Sequence, residues 1–298
     1  MSGLVCSWTW FEFEQGEMKL VARAALACAL LAAVFVPVAV GGSLIGSPEQ
    51  TGSITPASPP PTTHKMVIAL DPGHGGMDPG ASSQDGLLEK EVVLAFAQAL
   101  REALLATGHY DVVMTRNDDH FLKLEDRVKF ARDKKADLFL SIHADTLSGP
   151  LLQRTQVRGT TIYTVSDKAS DAVAEALAQK ENRADIIAGM DLGKQRENVA
   201  NALINLAQRE SKSQAMLFAR KVVSEIKPVT ELTSQPIRSA AFVVLKAPDI
   251  PSVLMELGYL SNKSDRAMLA SADWRKGMAQ AMARATDAYF TPTLSVQN

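Results

Sequence analysis

Asp71-Pro72-Gly73-His74-Gly75-Gly76 follows directly on a short apolar run, Met66–Leu70. A run of that length and character is expected to be a buried strand. The glycines permit a sharp turn that leaves His74 open at the strand's carboxyl end, where open α/β sheets place their ligands. The spacing is neither GxGxxG nor that of a phosphate-binding loop with its lysine. Ser141-Ile142-His143-Ala144-Asp145 repeats the arrangement, with His143 ending a second apolar strand. Between the two histidines lies Glu89, in Gly86-Leu87-Leu88-Glu89-Lys90 at the mouth of a helix. An acid in a helix's first turn ordinarily answers the helix dipole. A loop leaving the first strand and returning to this helix can nevertheless bring Glu89 to His74. Two neutral imidazoles and one carboxylate are a ligand set of catalytic zinc, with one position left for water.

A fourth candidate is Glu256, in Ser252-Val253-Leu254-Met255-Glu256-Leu257-Gly258. An ionised acid inside an apolar strand is costly unless it is paired or catalytic. Glu256 is either half of a buried salt bridge or the general base beside a metal-bound water, whose pKa an ion such as zinc lowers to about 7. The only cysteines, Cys6 and Cys28, precede the expected domain, so a metal there must rest on His, Asp and Glu. His64, His109 and His120 are expected at the surface, and Arg127 in a structural ion pair. No GxSxG elbow or Cys-His pair offers a nucleophile.

The elements that must position these residues alternate. Strands are expected at Met66–Leu70, Asp111–Thr115, Leu138–Ile142, Thr160–Val165, Phe242–Leu245 and Val253–Leu257. Helices are expected at Lys90–Ala106, Leu124–Lys134, Asp167–Gln179, Ser213–Ile226 and Asp273–Tyr289, each with apolar residues at helical spacing. This order predicts a three-layer α/β fold with a largely parallel or mixed sheet. Asn182–Asn205 interrupts the alternation and is expected to be an inserted surface segment.

Ahead of the domain, Lys19 and Arg23 precede an apolar run from Ala24 to Val40 and then Gly41, Gly42 and Ser43. That pattern predicts a signal peptide, or an uncleaved N-terminal anchor, over residues 1–45. Residues 46–65, rich in Pro, Ser, Thr and Gly, are expected to be a linker. The domain is expected over 66–290, with a short tail at 291–298. A net charge of −2, with 31 Lys and Arg against 33 Asp and Glu, gives no footing for nucleic acid.

Taken together and in this order, DPGHGG, the Glu-Lys pair, SIHA and MELG resemble the zinc-dependent N-acetylmuramoyl-L-alanine amidases over roughly residues 66–290. The resemblance implies a mixed six-stranded sheet flanked by helices, with Zn2+ held by His74, Glu89 and His143 and with Glu256 as the catalytic glutamate. It implies a periplasmic enzyme acting on peptidoglycan at the bond between muramic acid and L-alanine. The chain is further similar to division amidases of Gram-negative bacteria, in which an inserted helix occludes the zinc until an activator with a LytM-like domain displaces it. By that likeness the 182–205 insertion is autoinhibitory, with Glu197 as a candidate cap on the metal. A monomer is expected. The competing expectations are a zinc peptidase acting within the stem peptide and a cell-wall binding module without hydrolysis.

Overall fold

The computed structural model describes residues 65–147, 149, 157–187 and 202–297. The expected leader over 1–45, almost all of the linker and Glu197 lie outside the described residues. No described helix is long and apolar enough to cross a membrane.

Six strands form one sheet: β1 (Met66–Pro72), β2 (Tyr110–Met114), β3 (Leu138–His143), β4 (Thr160–Val165), β5 (Leu232–Ala240) and β6 (Ser252–Glu256). Their order is β2-β1-β3-β6-β4-β5. Neighbours run parallel except β4 against β6, which makes the sheet mixed. Helix α1 (Glu89–Ala106) crosses from β1 to β2, and α2 (Leu124–Asp133) from β2 to β3. After β4 come α3 (Ala172–Glu181), a short α4 (Ala184–Ile187) and the long α5 (Ala202–Ile226); α6 (Lys263–Ala270) and α7 (Ala272–Gln297) follow β6.

Side chains alternate across a strand, and here the alternation separates two cores. Ile68, Leu70, Leu140, Ile142, Val253 and Met255 face α1, α5 and α7. Ala69, Phe139 and Leu254 face α2, α3 and the segment around Phe242. The three layers are therefore helices, sheet and helices. The three central strands, parallel and in register, end together, so Pro72, Ile142 and Met255 sit side by side.

Some expected elements are corrected. Phe242–Leu245 is not a strand: Val243–Leu245 is a single 3-10 turn. The strand in that part of the chain is β5, Leu-Thr-Ser-Gln-Pro-Ile-Arg-Ser-Ala. It is polar and carries Pro236, which the outermost position in the sheet tolerates. Helix α6 also escaped detection; the Asn262 side chain caps it by accepting from the Ser264 and Asp265 amides. Helix α3 starts late, at an Asp171 cap, and continues to Glu181. Helix α7 extends through the expected tail. Within the expected insertion, Ala184–Ile187 is helical, and buried Asp185 accepts from the Leu124 amide at 3.1 Å.

Candidate metal centre and catalytic carboxylate

His74 lies two residues past β1 and has φ of 60°, a left-handed conformation that costs a residue with a Cβ about 1–2 kcal/mol. The turn that creates it leaves no room for other side chains. A Cβ on Gly73 would stand 2.5 Å from His143 Cε1, and one on Gly80 2.6 Å from His74 Cδ2. The His74 Nδ1–Asp78 Oδ2 hydrogen bond is 2.8 Å long. A proton on Nδ1 shared with a carboxylate fixes the ring and leaves Nε2 with a free lone pair. Nε2 is buried and makes no hydrogen bond.

His143, the last residue of β3, meets His74 edge-on, with ring centroids 4.9 Å apart. Glu89 opens α1 and is fully buried. Its Oε2 accepts from the Ala81 amide and its Oε1 from the Ala144 amide, each at 2.8 Å. That Oε1 also lies 3.2 Å from His74 Nε2 and 3.1 Å from His143 Nδ1. The three residues expected to converge from separate elements are therefore in contact.

A fourth group, which sequence reasoning missed, joins them. Glu181 Oε2, at the end of α3, lies 3.5 Å from His74 Nε2 and 3.2 Å from His143 Nδ1. His74, His143 and Glu181 form a buried cluster able to hold a metal ion. One signal was available: an acid in a helix's last turn opposes the helix dipole, and such a local violation marks a residue placed for another purpose.

Electrostatics in the cluster favour added positive charge. Burial opposes charge on the His74 imidazole, but the Glu89 and Glu181 carboxylates outweigh it and raise its pKa well above the ordinary value. Burial likewise opposes charge on His143, and Glu181 and Glu89 again prevail, raising its pKa. Burial disfavours the Glu89 anion, but both imidazoles hold its pKa well below the carboxylate range.

Glu256 ends β6 directly opposite His143 on β3. Its Oε2 accepts from the Asp145 amide at 3.0 Å, while Oε1 is buried without a hydrogen-bond partner. Burial pushes its pKa well above the carboxylate range; nearby His143 opposes this, whereas Glu89 and Glu181 add to it. The salt-bridge alternative does not hold, since no cation pairs with Glu256 among the described residues. His109 and His120 are half-exposed and paired with Asp287 and Asp118, as expected of surface residues. Arg127 makes the expected ion pair, with Asp71 at 2.8 Å.

Imidazoles and carboxylates gathered at the carboxyl edge of a three-layer α/β sheet place this chain in the class of α/β proteins with a candidate metal site where such sheets bind their ligands. Residues 68–288 match the N-acetylmuramoyl-L-alanine amidase family. The chain is 39% identical over 227 residues to the N-acetylmuramoyl-L-alanine amidase AmiA of Escherichia coli K12, covering 76% of each. It is 38% identical to AmiC of Neisseria meningitidis over 77% of this chain and 54% of that protein. Among solved structures, AmiC2 of Nostoc punctiforme superposes with a TM-score of 0.54 at 27% identity, over 76% of this chain and 98% of that one. The chain belongs to the N-acetylmuramoyl-L-alanine amidase family and is an enzyme of that kind.

Proposed function

We propose that this protein is a zinc-dependent peptidoglycan amidase that cuts between N-acetylmuramic acid and the L-alanine of the stem peptide, and that the described arrangement is its blocked state. The observation that carries this proposal is the set of distances around the two imidazoles. Ligands about 2.0–2.2 Å from a tetrahedral zinc lie roughly 3.3–3.6 Å from one another. The four contacts that Glu89 and Glu181 make with His74 and His143 span 3.1–3.5 Å, within about 0.2 Å of that spacing. A donor set of imidazole and carboxylate without thiolate suits zinc.

His74 Nε2, His143 Nδ1 and Glu89 Oε1 would hold the ion. When bound, zinc supplies polarisation of the amide carbonyl and a water acidic near neutral pH. Asp78 keeps His74 in the required tautomer. Glu256, whose Oε1 is buried without a partner, would accept a proton from the attacking water and deliver it to the leaving nitrogen.

A catalytic zinc keeps one position open, whereas a site with four protein ligands is closed. With the ion on His74, Glu89 and His143, Glu181, whose Oε2 lies against both imidazoles, would be a fourth protein donor, and the end of α3 would then restrain the enzyme. Glu197, suggested for this role by the sequence, lies outside the described residues. Release by an activator with a LytM-like domain fits this design. The substrate sets an extracytoplasmic, periplasmic site of action, reached through the expected leader in residues 1–45, with the chain working as a monomer.

Digestion of purified sacculi followed by mass spectrometry tests the reaction. Intact glycan strands and whole stem peptides are expected; cleavage within the peptide would instead indicate a zinc peptidase, and no release a binding module. Glu256→Gln should lower turnover by about 10²–10⁴-fold while zinc content stays at one ion per chain. Retained turnover removes Glu256 from the proton shuttle.

A further inference from the structure

The backbone between Pro72 and Gly76 is held in an unusual way. Pro72 O accepts from both Arg116 Nε and Arg127 Nη1, each at 2.9 Å. Gly73 O accepts from Arg116 Nη2 and His74 O from Arg127 Nη2, each at 2.8 Å. Gly75 O accepts from the Asp78 amide at 3.1 Å, and Gly76 O from Lys90 Nζ at 2.9 Å. Every carbonyl of the turn is thus satisfied, and four of the five are bound by a cationic side chain.

The cations are themselves fixed. Arg116 and Arg127 are 1% and 3% exposed. Asp71 is the acidic partner of Arg127 and also accepts from Thr115 Oγ1 on the β2 side and Ser141 Oγ on β3. Arg116 Nη2 reaches Lys90 O at 2.9 Å as well as Gly73 O. One guanidinium therefore ties the turn that carries His74 to the helix end that carries Glu89. Asp119 accepts from both Lys90 Nζ and the Gly76 amide, at 2.7 Å each.

Burying two guanidiniums together is costly. Burial, and then the neighbouring Arg127 charge, lower the pKa of Arg116 to about 10. Apolar residues of similar volume would often be neutral or stabilising at such a place. The arrangement does what apolar packing cannot: planar forks bind carbonyls of successive residues and hold His74 at a positive φ that it would otherwise leave.

We propose that Arg116, Arg127 and Lys90 are positioning residues that hold the left-handed turn and thereby set the affinity of the His74–Glu89–His143 site for its metal. This inference rests on those three residues being the ligands. The test is zinc affinity of the full chain, measured by competition with a chromophoric chelator, alongside the melting temperature of each metal-free variant. Arg116→Lys keeps the charge but loses the fork, and Lys90→Met removes the more accessible cation. Each should weaken zinc binding by roughly 10–100-fold, the usual cost of losing a partner that orients a ligand. Asp287→Ala, which removes the Tyr110 and His109 contacts at the far side of β2, serves as control and should lower the melting temperature with zinc affinity unchanged. Affinity within twofold of wild type in folded Arg116→Lys and Lys90→Met overturns the proposal. So does a fall in affinity that Asp287→Ala reproduces at equal loss of stability. A wild-type chain that binds no zinc overturns the ligand assignment as well, which separates the two failures.

Discussion

Two carboxylates reach the same pair of imidazoles from opposite kinds of helix end. Glu89 begins α1, at the positive end of the helix dipole, with both oxygens accepting buried backbone amides. Glu181 is the last residue of α3, at the negative end, and its Oε1 is buried with no hydrogen-bond partner. Each is within 3.5 Å of both rings, yet only Glu89 is in an environment that favours it independently of those rings. An ionised group at the wrong end of a dipole with an unsatisfied oxygen costs free energy. Under the blocked-state proposal the site therefore has a fixed side, the β1 turn with α1 and β3, and a removable side, the end of α3.

The sharpest way to break that comparison is to neutralise each carboxylate in turn. Glu89→Gln should abolish sacculus hydrolysis and reduce zinc affinity by more than the roughly 10–100-fold typical of outer partners. It should do so whether or not residue 181 is also changed. Similar zinc affinity in Glu89→Gln and wild type would erase the distinction between the two acids.

The fixed side has a stability signature of its own. Burial disfavours the Asp71 anion, but Arg127 and the Thr115 and Ser141 hydroxyls outweigh it and hold its pKa below the ordinary carboxylate value. A depressed pKa stabilises the fold above the unfolded value of about 3.9, and this contribution is lost as pH falls through the lower folded value. Asp71→Asn breaks a buried pair and should cost about 3–5 kcal/mol at neutral pH. In urea melts from pH 7 to 2, the gap between wild type and variant should hold down to about pH 4 and shrink below it. A gap independent of pH would deny Asp71 its charged role.

The fixed side was legible in the sequence and the removable side was not. His74, Glu89 and His143 follow strand ends or open a helix, and glycines and apolar runs mark those places. Glu256 stood out as an acid in an apolar strand. Glu181 had only the weaker mark of an acid near a helix end: it sits two residues past the expected end of its helix, at Gln179, where the amphipathic pattern gives way to an irregular segment with acids of its own. The sheet's centre was legible for the same reason as the fixed site, because buried strands are continuous apolar runs. Its edge was not. Strand β5 is polar and contains a proline, and the more apolar Phe242–Leu245 nearby drew the assignment.

Removing the movable carboxylate should act in the opposite direction from removing the fixed one. A blocked state favoured by about 1.4 kcal/mol leaves roughly one molecule in ten open. Glu181→Ala should then raise basal hydrolysis of sacculi about tenfold without an activator, with zinc affinity falling far less than in Glu89→Gln. Basal activity at or below the wild-type level in Glu181→Ala would make Glu181 a working ligand and remove the blocked-state proposal.

A smaller effect sharpens how the end of α3 is held. Lys180, one residue before Glu181, pairs with Asp145, two residues past His143. Asp145 is buried, and its amide is the donor to Glu256, so the pair ties the end of α3 to the strand end beside Glu256. The Lys180 side chain is 37% exposed against a buried Asp145, and with its cation open to solvent the pair is worth about 0.2–1 kcal/mol. Lys180→Met should therefore raise basal hydrolysis between roughly 1.4-fold and fivefold, with 1.4 kcal/mol corresponding to tenfold. Salt screens a half-buried pair only in part, so wild-type basal activity should climb part of the way toward that of Lys180→Met as ionic strength rises, and Lys180→Arg should stay near wild type. Basal rates equal in Lys180→Met and wild type at low salt would leave the imidazole contacts of Glu181 and the packing of α3 as the restraint that an activator must overcome.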